Sequence, residues 1–379
     1  MDIDIALDAR YVQEHFPGIG RYVYHLAEAL AELPGGPHLT LFYNPAHPGH
    51  RFNLAELADR FPTRITLSPV TARPFSLAEQ WQLFRPARQG RFRAWHAPFY
   101  IRPYCLPLPV VLTAYDVISA RLPAAMNSRK SRLAFEITTR LAFLTSRRII
   151  AISQAAAGDI QRLYRVNPAK IRVVPLGVSK HFKPLDPAGQ QEARARLNLP
   201  QRYLLYVGIN KPHKNLARLL EAFKLYREQG GDPVKLILAG KEDFRYSGDL
   251  RDKARQIGIM EQVEFRGEIT EADLPALYAC ADLFVFPSLY EGFGLPVLEA
   301  MACGTPVACA DNSSLPEVAG DAAVLFPAGD VAAQAASIAS ALQQAPELRR
   351  KGLERARLFS WQRTAEMTLE VYKSLANKP

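Results

Sequence analysis

Two glutamates and the glycines between them are the residues whose types and spacing could do chemistry. In the segment FPSLYEGFGLPVLEAMACGTPV, Glu291 and Glu299 are separated by seven residues. Gly292, Gly294 and Pro296 lie between them and predict a loop that opens a helix, because proline is favoured in the first helical turn. The backbone N–H groups at a helix start carry partial positive charge. Such a start suits a diphosphate.

The position of each glutamate relative to this helix predicts what it could bind. Glu299 falls about one turn inside the helix and could accept hydrogen bonds from a diol such as ribose. Glu291 lies ahead of the helix and could reach a hydroxylated group at the other end of the same ligand. Glycine lets the backbone approach a ligand closely. The spacing also fits a glycine-rich connection with two surface glutamates, so both interpretations stay open.

The elements that position these residues follow a strand–helix alternation. Continuous apolar strands between helices indicate a parallel sheet covered on both faces. We therefore predict an α/β chain of two doubly wound, Rossmann-like domains, which bind ligands at the carboxyl ends of their strands. The predicted strands are IDIALDA, HLTLFYN, AWHA, PVVLTAYD and RRIIAIS in the first half and RYLLYVGI, KLILAG, VEFRG, DLFVFPS, TPVACA and AAVLFP in the second.

Composition shifts set the expected domain boundaries. The proline- and glycine-rich stretch PLGVSKHFKPLDPAG indicates a linker over residues 176–189. It separates an N-terminal domain, residues 1–175, from a C-terminal domain, residues 190–359. A closing helix at about 360–379 is expected to pack back on the N-terminal domain. The four cysteines form no C-x-x-C pair, which favours free thiols in a reducing compartment.

The net charge of +10 belongs to one half of the chain. Residues 1–175 contain 22 Lys+Arg and 12 Asp+Glu, and the remaining residues balance at 25 of each. Such an excess suits nucleic acid, an anionic membrane or a phosphorylated substrate. No nucleic-acid-binding module is recognised, so specific nucleic-acid binding is the minor alternative. The acidic start and the lack of a long apolar run predict a cytoplasmic protein, for which any contact with a membrane would be peripheral.

The densest basic stretch contains a helical pattern, SRLAFEITTRLAFLTSRR. Leu133, Ile137, Leu141 and Leu144 recur at spacings of three and four, with arginines between them. One interpretation is a helix packed on the core with a solvated opposite face. The other is a basic, amphipathic surface that faces anionic lipid.

Together these motifs resemble the retaining glycosyltransferases of family 4 (group 1). The segment with the two glutamates continues into EAMACGTPV and SSLPEVAGDAA, and the resemblance covers nearly all of residues 145–375. It implies the GT-B fold, with two Rossmann-like domains facing across a cleft, and a nucleotide-diphosphate sugar as co-substrate. The segments that carry it further are LLYVGINKPHKNLARLLEAF, ALYACADLFVFPSLYEGFGLP, AISQAAAGDI, IRVVPLGV and FSWQRTAEMTLEVY.

The resemblance implies roles for residues of the C-terminal domain. Glu299 would bind the nucleotide ribose, Glu291 the sugar hydroxyls, and Lys214 of KPHKN the diphosphate, as a cation that stabilises the leaving group. The arginine that the family pairs with this lysine is missing, because Ile209-Asn210 stands in its place. Lys211 could substitute for it, although its position one residue before Pro212 does not match. The further donor-binding residues are Gly208, Asn210, Ile269, Gly292, Phe293, Gly294 and Leu295.

In the N-terminal domain the resemblance implies a glycine-rich loop that covers the diphosphate with Gly18 and Gly20. His96, at a strand end in AWHAPFY, resembles the family's active-site histidine beside the donor sugar. A lone histidine is also often structural. In TAYDVI, Tyr115 replaces a histidine that many relatives carry, and Asp116 remains, on the acceptor side.

The predicted reaction is transfer of a hexose to a glycan or lipid-linked acceptor hydroxyl, with retention at the anomeric carbon. Lys214 supplies the charge that a metal provides elsewhere, so no metal and no cofactor besides the nucleotide sugar is expected. GDP-mannose is the preferred donor. UDP-glucose or another UDP-sugar is the alternative donor. An alternative function is that of a sugar-nucleotide epimerase of the same architecture. The basic half of the chain is expected to receive an anionic acceptor.

Overall fold

The chain divides into two compact units in the computed structural model, which describes residues 3–13, 16–47, 51–74, 76–118, 129–241 and 243–375. The N-terminal unit contains residues 1–177 and 360–379, and the C-terminal unit contains residues 178–359. The chain thus passes from one unit to the other at two places, and its last helix returns to the first unit.

The N-terminal unit is built on a parallel sheet of seven strands in the order β3-β2-β1-β4-β5-β6-β7. β1 pairs with both β2 and β4, so the strand order reverses between β1 and β4. The edge strands β3 and β7 were not predicted, since their residues are only partly buried and show no continuous apolar run. The strands are β1 Asp4–Asp8, β2 His38–Tyr43, β3 Ile65–Pro69, β4 Ala94–Ala97, β5 Val110–Ala114, β6 Arg148–Ala151 and β7 Ile171–Val173.

Seven helices are described in this unit. One core joins three of these helices, α4–α6, to the sheet, with Ala87, Phe143 and Ile160 in one buried cluster with Trp95, and Leu83, between α3 and α4, belongs to the same cluster. On the described residues, the helices are α1 Pro17–Glu32, α2 Leu54–Arg60, α3 Leu77–Gln82, α4 Phe84–Gln89, α5 Arg129–Thr145, α6 Gln154–Tyr164 and, after the second unit, α15 Trp361–Ser374.

The last helix, α15, is held against the N-terminal unit by specific contacts. The indole of Trp361 stacks on the ring of His25 in α1, with ring centroids 5.2 Å apart. The Thr364 hydroxyl donates to the Pro175 carbonyl at 2.8 Å. A Cβ at Gly177 would lie 2.1 Å from the Trp361 backbone nitrogen, so the chain passes too close to the helix start for any side chain there.

The C-terminal unit carries the second parallel sheet, six strands in the order β10-β9-β8-β11-β12-β13. All six strands were predicted, and both sheets confirm the predicted α/β class with two Rossmann-like domains. The strands are β8 Tyr203–Val207, β9 Lys235–Ala239, β10 Val263–Arg266, β11 Leu283–Phe286, β12 Val307–Ala310 and β13 Val324–Phe326. The helices are α7 Pro187–Arg196, α8 Leu216–Glu228, α9 Phe244–Gln256, α10 Leu274–Ala279, α11 Leu295–Ala302, α12 Leu315–Ala319, α13 Val331–Gln343 and α14 Ala345–Ala356.

Two local predictions need correction. Residues 187–189 of the predicted linker begin α7, because Asp186 caps that helix by accepting from the Gly189 N–H at 2.7 Å and Pro187 suits its first turn. Gly18 and Gly20 lie in the first turn of α1 and not in a loop.

The side of helix α5 that packs on the core is not the side that carries the predicted apolar stripe. Thr139, Ala142 and Phe143 are buried. Leu133, Ile137, Leu141 and Leu144 are exposed, so the interpretation in which these four side chains pack on the core is wrong. The basic stretch before residue 129 lies in part outside the described residues.

Candidate functional site

The second sheet reverses its strand order between β8 and β11. From β8 the chain continues to β9 and β10 on one side, whereas β11, β12 and β13 lie on the other. A crevice forms beyond the carboxyl ends of the strands at such a reversal, and α/β proteins bind ligands there. The connection after β8 carries Lys214 and the connection after β11 carries Glu291, so the topology brings these two predicted residues together.

Lys214 and Glu291 form an ion pair at this point. The Lys214 Nζ donates to Glu291 Oε1 at 2.5 Å, and the two side chains are only 16% and 14% exposed. The same Nζ lies 5.4 Å from the centre of the Phe286 ring at the end of β11. The cation is therefore held between a carboxylate and an aromatic face, where electrostatic interactions are stronger than in bulk water.

The backbone at Lys214 is fixed by a buried asparagine. Residues Pro212–Lys214 form a 3-10 turn that ends at Asn215, whose φ is +61°. The Asn215 amide donates to the carbonyls of Pro287, at 3.1 Å, and Ala328, at 2.7 Å. Asparagine tolerates the left-handed region better than most residues. Its place just before a helix is typical of an ordinary surface cap, so the sequence pattern alone does not mark Asn215 as a site residue.

The Glu291 segment is held by the connection that follows β12. Ser314 Oγ donates to the carbonyls of Glu291, at 3.0 Å, and Phe293, at 2.7 Å. The Glu291 N–H donates to Ser313 Oγ at 3.0 Å. These serines belong to the SSLPEVAGDAA segment. The motif was recognised in the sequence, but only the structure shows that its hydroxyls support the glutamate loop.

Helix α11 begins at Leu295, four residues after Glu291, with Pro296 in its first turn as predicted. Gly294 precedes it with φ +107°, and a Cβ there would lie 2.7 Å from Leu315 Cδ2. A side chain at this position is thus opposed by both the backbone conformation and the packing of α12. Phe293 is buried, and its ring lies 6.0 Å from that of Phe359.

Glu299 lies one turn inside α11 and is buried. Its Oε2 accepts a hydrogen bond from the Tyr278 hydroxyl at 3.0 Å. The tyrosine therefore fixes the orientation of the carboxylate. Binding of a ribose by Glu299 stays a prediction.

Two glycines bring the ends of β8 and β9 together. A Cβ at Gly240 would lie 2.3 Å from the Gly208 carbonyl oxygen, and one at Gly208 would lie 2.6 Å from the Tyr206 hydroxyl. Asn210 lines a small pocket at these strand ends together with Phe265. Ile269 lies half-buried in the connection after β10. Gly240 was missed, since a glycine after a strand is a common turn signal.

Two described basic residues near Asn210, Lys211 and Arg266, do not take the place of the absent arginine. Lys211 is exposed at the start of the 3-10 turn. Arg266, which lines the same small pocket, donates instead to the carbonyls of Leu197 and Asn198. Lys214 is therefore the cation that the described contacts tie to the predicted donor residues.

His96 lies in the interior of the N-terminal unit, on the strand next to β1. Its Nδ1 lies 2.6 Å from the Tyr372 hydroxyl of α15 and its Nε2 lies 2.7 Å from Thr113 Oγ1. Thr113 in turn lies 2.8 Å from the Tyr22 hydroxyl. Burial lowers the pKa of His96 to about 3, so the imidazole is neutral at pH 7. Contact with a sugar would require one of these hydrogen bonds to open, and it stays a prediction.

The other predicted residues of this unit surround β1 and β5. Gly20 packs against the β1–α1 connection, where a Cβ would lie 3.3 Å from the Tyr11 carbonyl oxygen, whereas Gly18 faces open space. The Tyr115 hydroxyl is buried and has no hydrogen-bond partner in the part of the chain that the structure describes. The Asp116 carboxylate accepts from the Ile118 N–H at 2.9 Å.

Comparison with known proteins places the whole chain in one family. The model for glycosyl transferases group 1 matches residues 189–359, and the model for glycosyltransferase family 4 matches residues 17–182. The O-antigen chain mannosyltransferase B of Escherichia coli is 31% identical over 370 residues, covering 94% of this chain and 96% of its own length. The MMP alpha-(1->4)-mannosyltransferase of Mycolicibacterium hassiacum is 33% identical, over 59% of this chain and 53% of its own length.

Solved structures agree at the level of the fold. Sucrose-phosphate synthase from Thermosynechococcus elongatus superimposes with a TM-score of 0.77 at 24% identity, over 99% of both chains. The Anabaena protein Alr3699/HepE, solved with UDP and glucose, gives a TM-score of 0.76 at 19% identity, over 99% of this chain and all of its own. The two Rossmann-like units are those of the GT-B fold.

The chain belongs to the group 1 (family 4) glycosyltransferases and is an enzyme that uses a nucleotide sugar. Within the described residues, no helix is long and apolar enough to cross a membrane.

Proposed function

We propose that this enzyme transfers mannose from GDP-mannose to a hydroxyl group of a glycan or lipid-linked acceptor, with retention at the anomeric carbon. The observation that carries the proposal is the Lys214–Glu291 pair where the sheet reverses, just ahead of α11. It supplies one cation for a diphosphate and one carboxylate for sugar hydroxyls at adjacent strand ends. Mannose is supported by the two mannosyltransferases to which the chain is similar.

In the proposed reaction the bond between the anomeric carbon and the diphosphate oxygen breaks while the acceptor oxygen bonds to the same face of the sugar. The leaving diphosphate oxygen takes the proton of the acceptor hydroxyl. Lys214 stabilises the negative charge that develops on the diphosphate, together with the backbone N–H groups at the start of α11. Glu291 holds the sugar hydroxyls. When the donor binds, Lys214 therefore gives up its ion pair with Glu291 and pairs with a phosphate instead. No metal or further cofactor is assigned to the step.

We also propose that the basic N-terminal unit attracts an anionic acceptor, such as a lipid-linked glycan phosphate at the inner face of the membrane. The excess of ten positive charges in residues 1–175 supports this assignment. Long-range attraction of this kind weakens as salt screens the charges. The protein would then work as a peripheral enzyme.

The donor is tested by melting the protein with GDP-mannose, UDP-glucose and an ADP-sugar, since a ligand that binds the native state raises its stability. We expect the largest shift with GDP-mannose. A larger shift with UDP-glucose would overturn the choice of donor, and no shift with any nucleotide would overturn the donor site. Transfer of labelled mannose to an added acceptor then separates a transferase from an epimerase, which would change the nucleotide sugar and label no acceptor.

A further inference from the structure

One face of the N-terminal unit exposes large apolar side chains from two helices. On α3, Leu77 is 86% and Trp81 is 79% exposed. On α5, Leu133 is 63% and Leu144 is 69% exposed, with Ile137 and Leu141 between them also exposed. These six residues are here called the α3–α5 face. Single apolar residues are common on protein surfaces, but several large ones together are typical of an interaction site.

The two helices are neighbours in the fold. The backbone N–H of Tyr104 donates to Gln80 Oε1 of α3 at 2.7 Å, and its hydroxyl donates to the Thr138 carbonyl of α5 at 2.9 Å. One tyrosine therefore connects them. Both helices lie on the same side of the sheet, because Leu83 after α3 and Phe143 of α5 belong to one buried cluster.

The exposed residues of α5 point away from that cluster. Successive residues of a helix are rotated by about 100°, so residues at spacings of three and four share a side. Ala142 and Phe143 are buried on the side of α5 that faces the sheet. Leu133, Ile137 and Leu144 then project outward along about three turns of the helix.

Arginines lie beside both parts of this face, since Arg85 and Arg88 line one pocket with Trp81 and Arg147 follows Leu144 by three residues. Arg85 and Arg88 of α4 and Arg147 after α5 are exposed. The acidic residues of α3 and α5 add no free negative charge. Glu79 is buried, with Oε2 2.9 Å from Arg10. Glu136 pairs with Arg140 at 2.7 Å. The α3–α5 face is thus apolar, with positive charge beside it.

We infer that the α3–α5 face docks onto an anionic lipid membrane. The leucines, Ile137 and Trp81 enter the boundary between headgroups and acyl chains, and the arginines contact lipid phosphates. Tryptophan is suited to this boundary because its ring is amphipathic. A second copy of the chain fits less well, since a two-fold contact through this face would bring like charges together. The inference locates the membrane contact proposed above and rests on it.

The positions of the tryptophans allow docking onto a membrane to be measured by fluorescence. The three tryptophans of the chain are Trp81, Trp95 and Trp361, and the last two are buried. Vesicles of phosphatidylcholine with phosphatidylglycerol should shift the emission of the protein to shorter wavelength, and vesicles of phosphatidylcholine alone should not. The shift should vanish in Trp81→Phe, which should still sediment with the anionic vesicles.

Paired substitutions test which residues dock. Ile137→Ser with Leu144→Ser, and separately Arg85→Glu with Arg88→Glu, should each weaken sedimentation with anionic vesicles by about tenfold or more. Leu358→Ser and Arg357→Glu alter exposed residues of the C-terminal unit and serve as matched controls that bind like the parent. Equal binding of parent and paired variants would overturn the inference. So would failure of the parent to bind, or a Trp81 shift that depends on protein concentration without lipid.

These measurements use no nucleotide sugar and no acceptor. A failure of the membrane inference therefore leaves the transfer reaction standing. Conversely, a chain that binds vesicles but transfers no mannose would overturn the proposed function alone.

Discussion

The Lys214 ammonium and the Glu291 carboxylate lie 2.5 Å apart, although they are 77 positions apart in the chain. Each occupies the connection after one of the two strands at which the second sheet reverses its order. The pair is mostly shielded from water, so each charge depends on the other until a ligand arrives. Removing one partner leaves a poorly solvated charge, which is costly.

Replacement of Lys214 by glutamine should lower kcat by about 10²- to 10³-fold, the range found when one group that stabilises a developing oxyanion is removed. The measurement is steady-state transfer of labelled mannose. Lys211→Gln is the matched control, because this lysine is exposed three residues earlier and should keep near-normal turnover. A Lys214→Gln enzyme within a few-fold of the parent would refute the assigned role.

Replacement of Ser314 by alanine should raise KM for the donor several-fold. The substitution removes the hydroxyl that donates to the carbonyls of Glu291 and Phe293 and so loosens the loop that presents the glutamate. Unfolding free energy should fall by about 1–2 kcal/mol, since a buried acceptor loses its donor. Ser340→Ala on α13 is the control. Among the described hydrogen bonds, the Ser340 hydroxyl takes part in one, which is exposed and is donated by the Gln344 side chain. An unchanged KM would show that the loop is held by other contacts.

Replacement of Gly294 by alanine should destabilise the start of α11 and weaken donor binding together. The left-handed backbone costs a residue with a Cβ about 1–2 kcal/mol, and the new carbon would press on Leu315 at 2.7 Å. Gly329→Ala is the control, because a Cβ there would meet nothing within 4 Å. Melting followed by circular dichroism and titration with the nucleotide sugar give the two readouts. Parent-like donor affinity in Gly294→Ala would contradict a role for this turn in binding.

The buried His96 should make the stability of the N-terminal unit depend on pH. Its folded pKa of about 3 lies below the ordinary value of 6.5, so between these values the unfolded chain binds the proton more tightly. The contribution of His96 is therefore complete above pH 6.5 and is lost as pH falls towards 3, by up to about 1.4 kcal/mol per pH unit.

Tryptophan fluorescence measures this effect selectively, since every tryptophan belongs to the N-terminal unit. Denaturant unfolding between pH 4 and pH 7 should show a shallower pH dependence in His96→Gln than in the parent. The amide keeps hydrogen-bonding atoms near Thr113 and Tyr372 but does not titrate. Identical slopes would mean that His96 is protonated without opening its hydrogen bonds.

Much of this architecture was predictable because parallel sheets covered on both faces need continuous apolar strands, and these stand out in the second half of the chain. The edge strands β3 and β7 were missed because a half-exposed strand needs no continuous apolar run and so lacks this signal. The start of α11 was predictable from Gly294 and Pro296, whose backbone preferences act locally.

The sequence by itself determined the α/β class, the six strands of the second sheet and the motif that contains Glu291 and Glu299. It also determined where the basic charge lies. Only the tertiary structure decided that Lys214 meets Glu291, that two serines support the glutamate loop, and that the apolar stripe of α5 faces solvent. Strand and turn preferences act over a few residues. Partners distant in the chain are chosen by strand order, and the buried side of a helix is chosen by what packs against it.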